Sequence, residues 1–417
     1  MLNPHLWQNK HIYWSAALKI IFVVDFFDPL MGYVSNFLPY ELSKLDNDVT
    51  IVVEKKFLDP YLSGKSKYIS LVNSNGITKL KISKNLEIVG LNGIHSPIGP
   101  WYKGLKKLLR AGQFDIVQSL VVTTSLLNIQ LVLYKKSLNF DFYLQDHSSK
   151  SVFTPSRKGS FYLWIFRKFI APYFNKSVSM CFIPSSDIFD VVHYFYGLST
   201  EKTTFEPLGV NSDWFHYPSS TEKAQGEAFL KHLGVPTGKF LVTYAGRLTS
   251  QKGADFLSDV IAECHSKESD IIGVFIGKGS DSEIERIRRN HGCHVFSMVP
   301  ANDLPLVYWG SDLGVWPREG STSILDSLAS GLPTIVRSGL TEIERKPFPE
   351  WVFTEESHAD LVRVILSQFQ NYQRQEMGAK ASKDILENYS WADLAKKRLD
   401  FYFVIVNQKL NNQDGEE

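Results

Sequence analysis

Short runs of strongly apolar residues, each followed by a longer stretch with helical spacing, recur along the whole of this 417-residue chain. In the first half the runs are Lys19–Val24, Val49–Glu54, Leu86–Leu91, Asp115–Leu120, Asp141–Gln145 and Val178–Ile183. In the second half they are Phe240–Ala245, Ile271–Ile276, His294–Ser297, Asp312–Trp316 and Pro333–Arg337. Unbroken Val, Ile, Leu and Phe is the pattern of strands covered on both faces. Helical segments fill the gaps, among them Val34–Leu45, Tyr102–Arg110, Thr124–Lys136, Ser160–Tyr173, Asp255–His265 and Thr322–Ser330. Strands that alternate with helices imply parallel βαβ units. Two such series predict an α/β protein with two doubly wound, Rossmann-like domains. The break falls near Leu208–Pro218, where Pro207, Gly209, Asn211 and Pro218 interrupt the periodicity. The expected units are residues 1–207, 208–390 and a terminal segment 391–417.

Charge separates the halves. The net charge is +1, yet residues 1–207 carry 23 Lys and Arg against 15 Asp and Glu, and residues 208–417 carry 22 against 29. Near-neutrality is a cancellation between a basic and an acidic half. The three cysteines, Cys181, Cys264 and Cys293, are too few and too far apart for a disulfide framework or a zinc site. No apolar run approaches the ~18 residues needed to span a bilayer, and Lys19 interrupts any signal-peptide core. These features lead us to expect a cytoplasmic protein.

In open parallel sheets, ligands bind beyond the carboxyl ends of the strands. In the second half, the first strand runs into Gly246-Arg247-Leu248, and Lys252-Gly253 follows on the same loop. Two cations ahead of a helix N-terminus make an anion site. The next strand ends in Gly277-Lys278-Gly279-Ser280, a Gly-x-Gly turn that allows close approach. The fourth leads into Arg318-Glu319-Gly320-Ser321-Thr322-Ser323, with Asp326 a turn into the following helix and Gly331 ending it. Paired carboxylates there suit the hydroxyls of a sugar and the diol of a ribose, because a carboxylate accepts two hydrogen bonds. No strand is followed by a full Gly-x-Gly-x-x-Gly, which argues against a dinucleotide-dependent oxidoreductase.

These pieces resemble the retaining glycosyltransferases of family 4, which have the GT-B fold of two Rossmann-like domains facing a cleft. The resemblance rests on Tyr244–Leu248 with Lys252-Gly253, on Phe275–Gly279, on Glu319–Pro333, and on the linker Glu206–Asn211. It extends more loosely to Lys19–Tyr33 and to Trp391–Tyr402, which is similar to the family's last helix crossing back to the first domain. The resemblance implies transfer of a sugar from a nucleotide-diphosphate sugar to a saccharide or lipid-linked saccharide, as in cell-surface polysaccharide or glycoconjugate synthesis. Arg247 and Lys252 would hold the diphosphate, and Asp326 the ribose. Glu319, with Gly320, Ser321, Thr322 and Ser323, would meet the donor sugar. Gly246, Gly277 and Gly279 would line the nucleotide site, and Gly32 would close on the phosphates from the first domain. His147, at the end of a first-domain strand, would contact the donor sugar near the reacting carbon.

Two departures from the family pattern stand out. Six residues separate Glu319 from Asp326, where the family has seven and a second glutamate. Keeping Asp326 in register puts Arg318 at the first acidic position. The family's paired glycine in the first loop reads Gly32-Tyr33. No Asp-x-Asp stands ready for Mg²⁺, so metal-independent catalysis without a cofactor is expected. A sugar-nucleotide epimerase of the same fold and a non-catalytic nucleotide-sugar-binding protein are the competing readings.

The basic half would bind the acceptor. Trp101–Arg110 and Arg157–Ile170 interleave aromatic, leucine and basic residues, a composition that suits the face of an anionic membrane. Peripheral contact with the inner face of a membrane is expected from them. Nucleic-acid binding is not, since no module signature appears and the second half is acidic.

Overall fold

A computed structural model describes residues 17–27, 33–58, 70–74, 77–149, 155–318, 320–345 and 348–413. The first sheet is built from β1 (Lys19–Val23), β2 (Asp48–Glu54), β3 (Ser70–Ser74), β4 (Ile77–Ser83) and β5 (Leu86–Leu91), then, after a separate hairpin of β6 (Gly93–Ser96) and β7 (Gly99–Tyr102), from β8 (Ile116–Ser119), β9 (Asp141–Gln145), β10 (Met180–Ile183) and β11 (Thr203–Phe205). Its order is β11-β10-β9-β8-β1-β2-β5-β4-β3. The second sheet contains β12 (Phe240–Arg247), β13 (Ile271–Lys278), β14 (Cys293–Phe296), β15 (Leu313–Trp316), β16 (Thr334–Arg337) and β17 (Val352–Phe353). Its order is β14-β13-β12-β15-β16-β17, parallel throughout. This is the dinucleotide-fold order, with its topological switch between β12 and β15. The first sheet has its own switch between β1 and β8.

The buried runs explain the strands. Ile20–Val23 and Ile271–Ile276 are almost wholly shielded from solvent, as expected where helices cover both faces. The antiparallel edge, β3 and β4 beside β5, departs from the all-parallel expectation. Its sequence, Ile-Thr-Lys-Leu-Lys-Ile-Ser, alternates with period two, and Leu80 is buried while Lys81 is exposed. That is the signature of a one-sided edge. The helix expected over Tyr102–Arg110 begins only at Leu105, because Tyr102 completes β7 and Gly104 turns at φ +83°. The helix expected over Ser160–Tyr173 is interrupted by a π-helical turn at Phe166–Ile170.

The chain crosses between the two sheets twice, and the crossings touch. Val210 and Ser390 form an isolated parallel bridge; Val210 N–H donates to Tyr389 at 2.9 Å, and Trp391 N–H to Val210 at 3.0 Å. Gly209 lies so close to the Trp391 ring that a Cβ would sit 2.6 Å from it. The terminal helix Trp391–Gln413 then joins the first domain's core, with Trp391, Leu394, Leu399 and Tyr402 buried among Ile20, Phe22, Leu38 and Leu42. Arg398 on this helix is completely buried. Its Nε donates to Glu206 Oε1 at 2.8 Å and its Nη2 to Glu206 Oε2. Nη1 donates to Gln118 at 2.9 Å, Nη2 also reaches Gln145 at 3.2 Å, and the guanidinium lies 3.5 Å from the Phe182 ring centre. One residue of the returning helix thus fastens the start of the linker to β8, β9 and β10. No helix among the described residues is long and apolar enough to cross a membrane.

Candidate functional site

Ligand chemistry is expected where the switch points of the two sheets face each other. On the second sheet, the ends of β12 and β13 are drawn together by their glycines. Gly246 and Gly277 are register partners, and a Cβ on Gly277 would lie 1.7 Å from the Gly246 carbonyl oxygen. A Cβ on Gly279 would lie 2.7 Å from the Leu248 oxygen. Both glycines therefore make room for the loop after β12 itself. Tyr244 Oη donates to the Arg247 carbonyl at 2.9 Å, and Trp316 Nε1 donates to the Ala245 carbonyl at 3.1 Å. These bonds fix the loop across the switch point. Arg247 ends β12 exposed, and among the described residues its side chain has no ion pair. Lys252 lies on the 3₁₀ turn Ser250–Lys252, half-buried, and the helix Ala254–Lys267 begins directly after Gly253. Gly253 turns at φ +80°, and a Cβ there would strike Pro317 at 2.7 Å. Only glycine meets both demands.

Arg318 serves this loop. It pairs in bidentate fashion with Glu356, both contacts at 2.9 Å, and Nη1 donates to the Ser250 carbonyl. It also reaches Asp255, which accepts from Ser250 Oγ at 2.7 Å. The residue in register with the family's first acid is thus a staple across the turn that carries Lys252. Glu319 and Gly32 lie outside the described residues.

Ser321 caps the helix Thr322–Ala329, its Oγ accepting from Ser323 N–H at 3.3 Å. Thr322 is exposed, and Ser321 and Ser323 are half-buried. Among the described residues, nothing donates to the Asp326 carboxylate. Burial pushes its pKa up to about 8, with the Arg345 guanidinium opposing the rise. A carboxyl held protonated in the folded state and ionised in the unfolded one makes the fold less stable as pH rises from about 4 to about 8. Asp326→Asn should therefore melt higher than the native protein at pH 8, by on the order of 2 kcal/mol or about 4–8 °C. The gap should nearly close at pH 4–5. Thermal melts across pH check this; an equal gap at both ends would deny the buried carboxyl.

The sequence did not single out Arg345. It lies on the 3₁₀ turn Ile343–Arg345 after β16 with only 4% of its side chain exposed. Nη1 donates to Glu342 at 3.2 Å, while Nε, 3.4 Å from Glu344, is too poorly aligned to bond. A Cβ on Gly320 would lie 2.3 Å from Glu342 Oε1 and 2.9 Å from Arg345 Nη1. Gly320 thus rests directly on this ion pair. The signal was present: three charges in Thr341-Glu342-Ile343-Glu344-Arg345 beyond the carboxyl end of a buried strand.

On the first sheet, His147 follows β9 in a loop held by buried Asp146. Asp146 accepts from Thr123 N–H and Oγ1, both at 2.7 Å, and from Ser148 N–H at 2.8 Å. His147 itself is exposed, while the protein around it strips part of its hydration. That desolvation lowers its pKa; Asp146 opposes the shift, and Arg398 and Arg345 add to it. The Arg345 charge thus acts on His147 from the opposite domain. Nearer β1 and β2 stand groups the sequence did not reveal. Burial raises the pKa of Asp25. Glu54 takes hydrogen bonds from Lys56 and His95, each at 2.8 Å, which outweigh burial and keep its carboxyl low. Phe26 packs edge-on against Phe57 at 5.4 Å and Tyr33 at 6.2 Å.

Residues 239–371 match a family model described as Glycosyl transferases group 1. The chain is similar to spore coat protein SA of Bacillus subtilis, 24% identical over 228 residues, which is 49% of this chain and 59% of that protein. It spans about half the length of the curated relatives it matches. Among solved structures, it superimposes on sucrose-phosphate synthase from Thermosynechococcus elongatus with TM-score 0.67 and 13% identity, covering 94% of this chain and 100% of the other. It superimposes on Anabaena HepE in complex with UDP-glucose with TM-score 0.65 and 13% identity, covering 92% and 99%. The chain has the GT-B architecture, and over residues 239–371 its second domain is similar to glycosyl transferases group 1.

Proposed function

We propose that this protein is a retaining glycosyltransferase of family 4. It would take a sugar from a nucleoside diphosphate donor and add it to a saccharide or lipid-linked saccharide. The observation that carries this reading is one convergence. Arg247, which has no ion pair among the described residues, the turn bearing Lys252 and the Asp326 carboxyl all stand at the β12/β15 switch, opposite His147. Arg247 and Lys252 would carry the diphosphate charge, which grows as the glycosidic bond breaks, without a metal ion. The diol of the ribose would hydrogen-bond Asp326 in its ionised form, so binding would release the proton that burial holds there. His147 would donate to a hydroxyl of the donor sugar. Glu342 is tied to Arg345, and no carboxylate of the described residues is held as a nucleophile beside these groups. Front-face displacement, with the departing phosphate taking the acceptor's proton, fits these groups. The solved HepE complex with UDP-glucose has this fold and supports a nucleotide-sugar reading.

The test is a panel of nucleoside diphosphate sugars and saccharide acceptors, with the anomeric configuration of the product read by NMR. The expected result is transfer with retention, unchanged by EDTA. Inversion, a free epimer formed without acceptor, or activity abolished by EDTA and restored by Mg²⁺ would overturn the matching part of the reading.

A further inference from the structure

Much of the positive charge of the first half lies on adjoining surface segments. Residues 101–114, 121–140 and 155–177 contain 11 Lys and Arg and no Asp or Glu. They form β7 with the helix Leu105–Gly112, the helix Leu126–Lys135, and the two helices Arg157–Ile165 and Ala171–Ser177 around the π-helical turn. Cation–π contacts join these separate segments. Lys106 lies 5.5 Å from the Tyr134 ring, and Lys136 lies 5.2 Å from Tyr173. Lys168 stands over both Trp164, at 5.2 Å, and Phe169, at 5.6 Å.

The aromatic residues on this face are not core residues. The same segment buries Leu163, Phe166 and Phe174 inward. Phe161, Trp164, Phe169 and Tyr173 are each more than half exposed. Phe161 stacks on Trp164 at 6.0 Å, and Phe169 meets Trp164 edge-on at 6.0 Å, so these three rings form one contiguous patch. A patch of that kind on a soluble surface marks an interaction site.

We propose that this face docks on an anionic lipid bilayer. Two features select that partner together. Eleven cations without one acid among them demand a negatively charged partner, each basic residue near such a surface adding attraction. Exposed Trp, Phe and Tyr side chains demand an apolar phase, and the headgroup region is where rings with cations beside them settle. A soluble polyanion satisfies the first demand and leaves the rings in water. The inference rests on the surface alone, and its failure would leave the donor site untouched.

The test is sedimentation of the full chain with vesicles. With phosphatidylcholine–phosphatidylglycerol vesicles at low salt the protein should pellet, and with pure phosphatidylcholine it should stay in the supernatant. Added salt should weaken the binding. Trp164→Ser with Phe169→Ser should reduce affinity at least tenfold, and so should Lys106→Glu with Lys168→Glu. All four positions lie outside the core, so unchanged melting temperatures serve as the folding control. No pelleting with anionic vesicles, equal pelleting with neutral ones, or full binding by the Trp164→Ser, Phe169→Ser variant would each overturn the proposal. So would complete displacement from vesicles by a heparin-like polyanion that binds the double serine variant as tightly as the native protein.

Discussion

Replacing Arg247 by alanine should lower kcat/KM by about 10²–10³-fold while leaving the melting temperature within about 1 °C of the native value. The second half of that expectation follows from where the side chain stands. Arg247 is exposed at the end of β12 and has no ion pair among the described residues, so the fold does not depend on it. The first half follows from charge. A charge-assisted hydrogen bond contributes ~1.5–3 kcal/mol, and a donor aimed at a departing diphosphate contributes more in the transition state than in the bound donor. The loss should therefore appear mainly in kcat. Arg247→Lys should recover only part of it, because an ammonium cannot reproduce the planar fork of the guanidinium. Steady-state kinetics beside thermal melts check the pair of expectations. Near-normal turnover would place the diphosphate elsewhere.

The largest effect on stability should come from Arg398→Met. The guanidinium is buried and holds Glu206, Gln118 and Gln145 at once. Removing it leaves the Glu206 carboxylate, only 4% exposed, without its counter-charge. Breaking a buried pair from one side costs about 3–5 kcal/mol, or roughly 6–20 °C in Tm for units of this size. Replacing both partners, Arg398→Met with Glu206→Met, should be milder than the single change, because no uncompensated charge remains. Thermal melts of the single and double variants decide it. A double variant less stable than the single would show that the pair is not acting through charge. Glu206 opens the linker into the second domain, so the single variant should also loosen the hold between the crossings at Val210 and Ser390.

The second domain was legible in the sequence because its chemistry is local. The strand at Phe240, its glycine turn, Lys252 and the helix of Asp326 each stand within a few residues of a strand end, and the edge rule of parallel sheets then places them together. The unbroken apolar runs located the parallel strands for the same reason. Where the signal was two-sided, the reading failed: β4 alternates apolar and polar residues, and a scan for continuous runs passes over it. Arg398 and Arg345 were not legible. Arg398 is the last of three consecutive cations, Lys396-Lys397-Arg398, on an ordinary amphipathic helix, and its partners Glu206 and Gln118 are 192 and 280 residues away in sequence. Only tertiary packing brings them together.

The aromatic–basic face lies between these cases. Two of its segments read as such from composition. The helix Leu126–Lys135, whose Tyr134 meets Trp101 and Lys106 of the first segment, reads as ordinary core. The mismatch of Arg318 with the family's first acid also has a physical sense in the structure. The side chain binds Glu356 and the Ser250 carbonyl and so fastens the turn that carries Lys252.

The most direct test of the central claim is a calorimetric titration of UDP, GDP and ADP into the native protein and into Arg247→Ala, without added metal. The account predicts saturable binding of one of these nucleotides at one site per chain, weakened at least tenfold in Arg247→Ala. Absence of binding by all three, or equal affinity in both proteins, would contradict it.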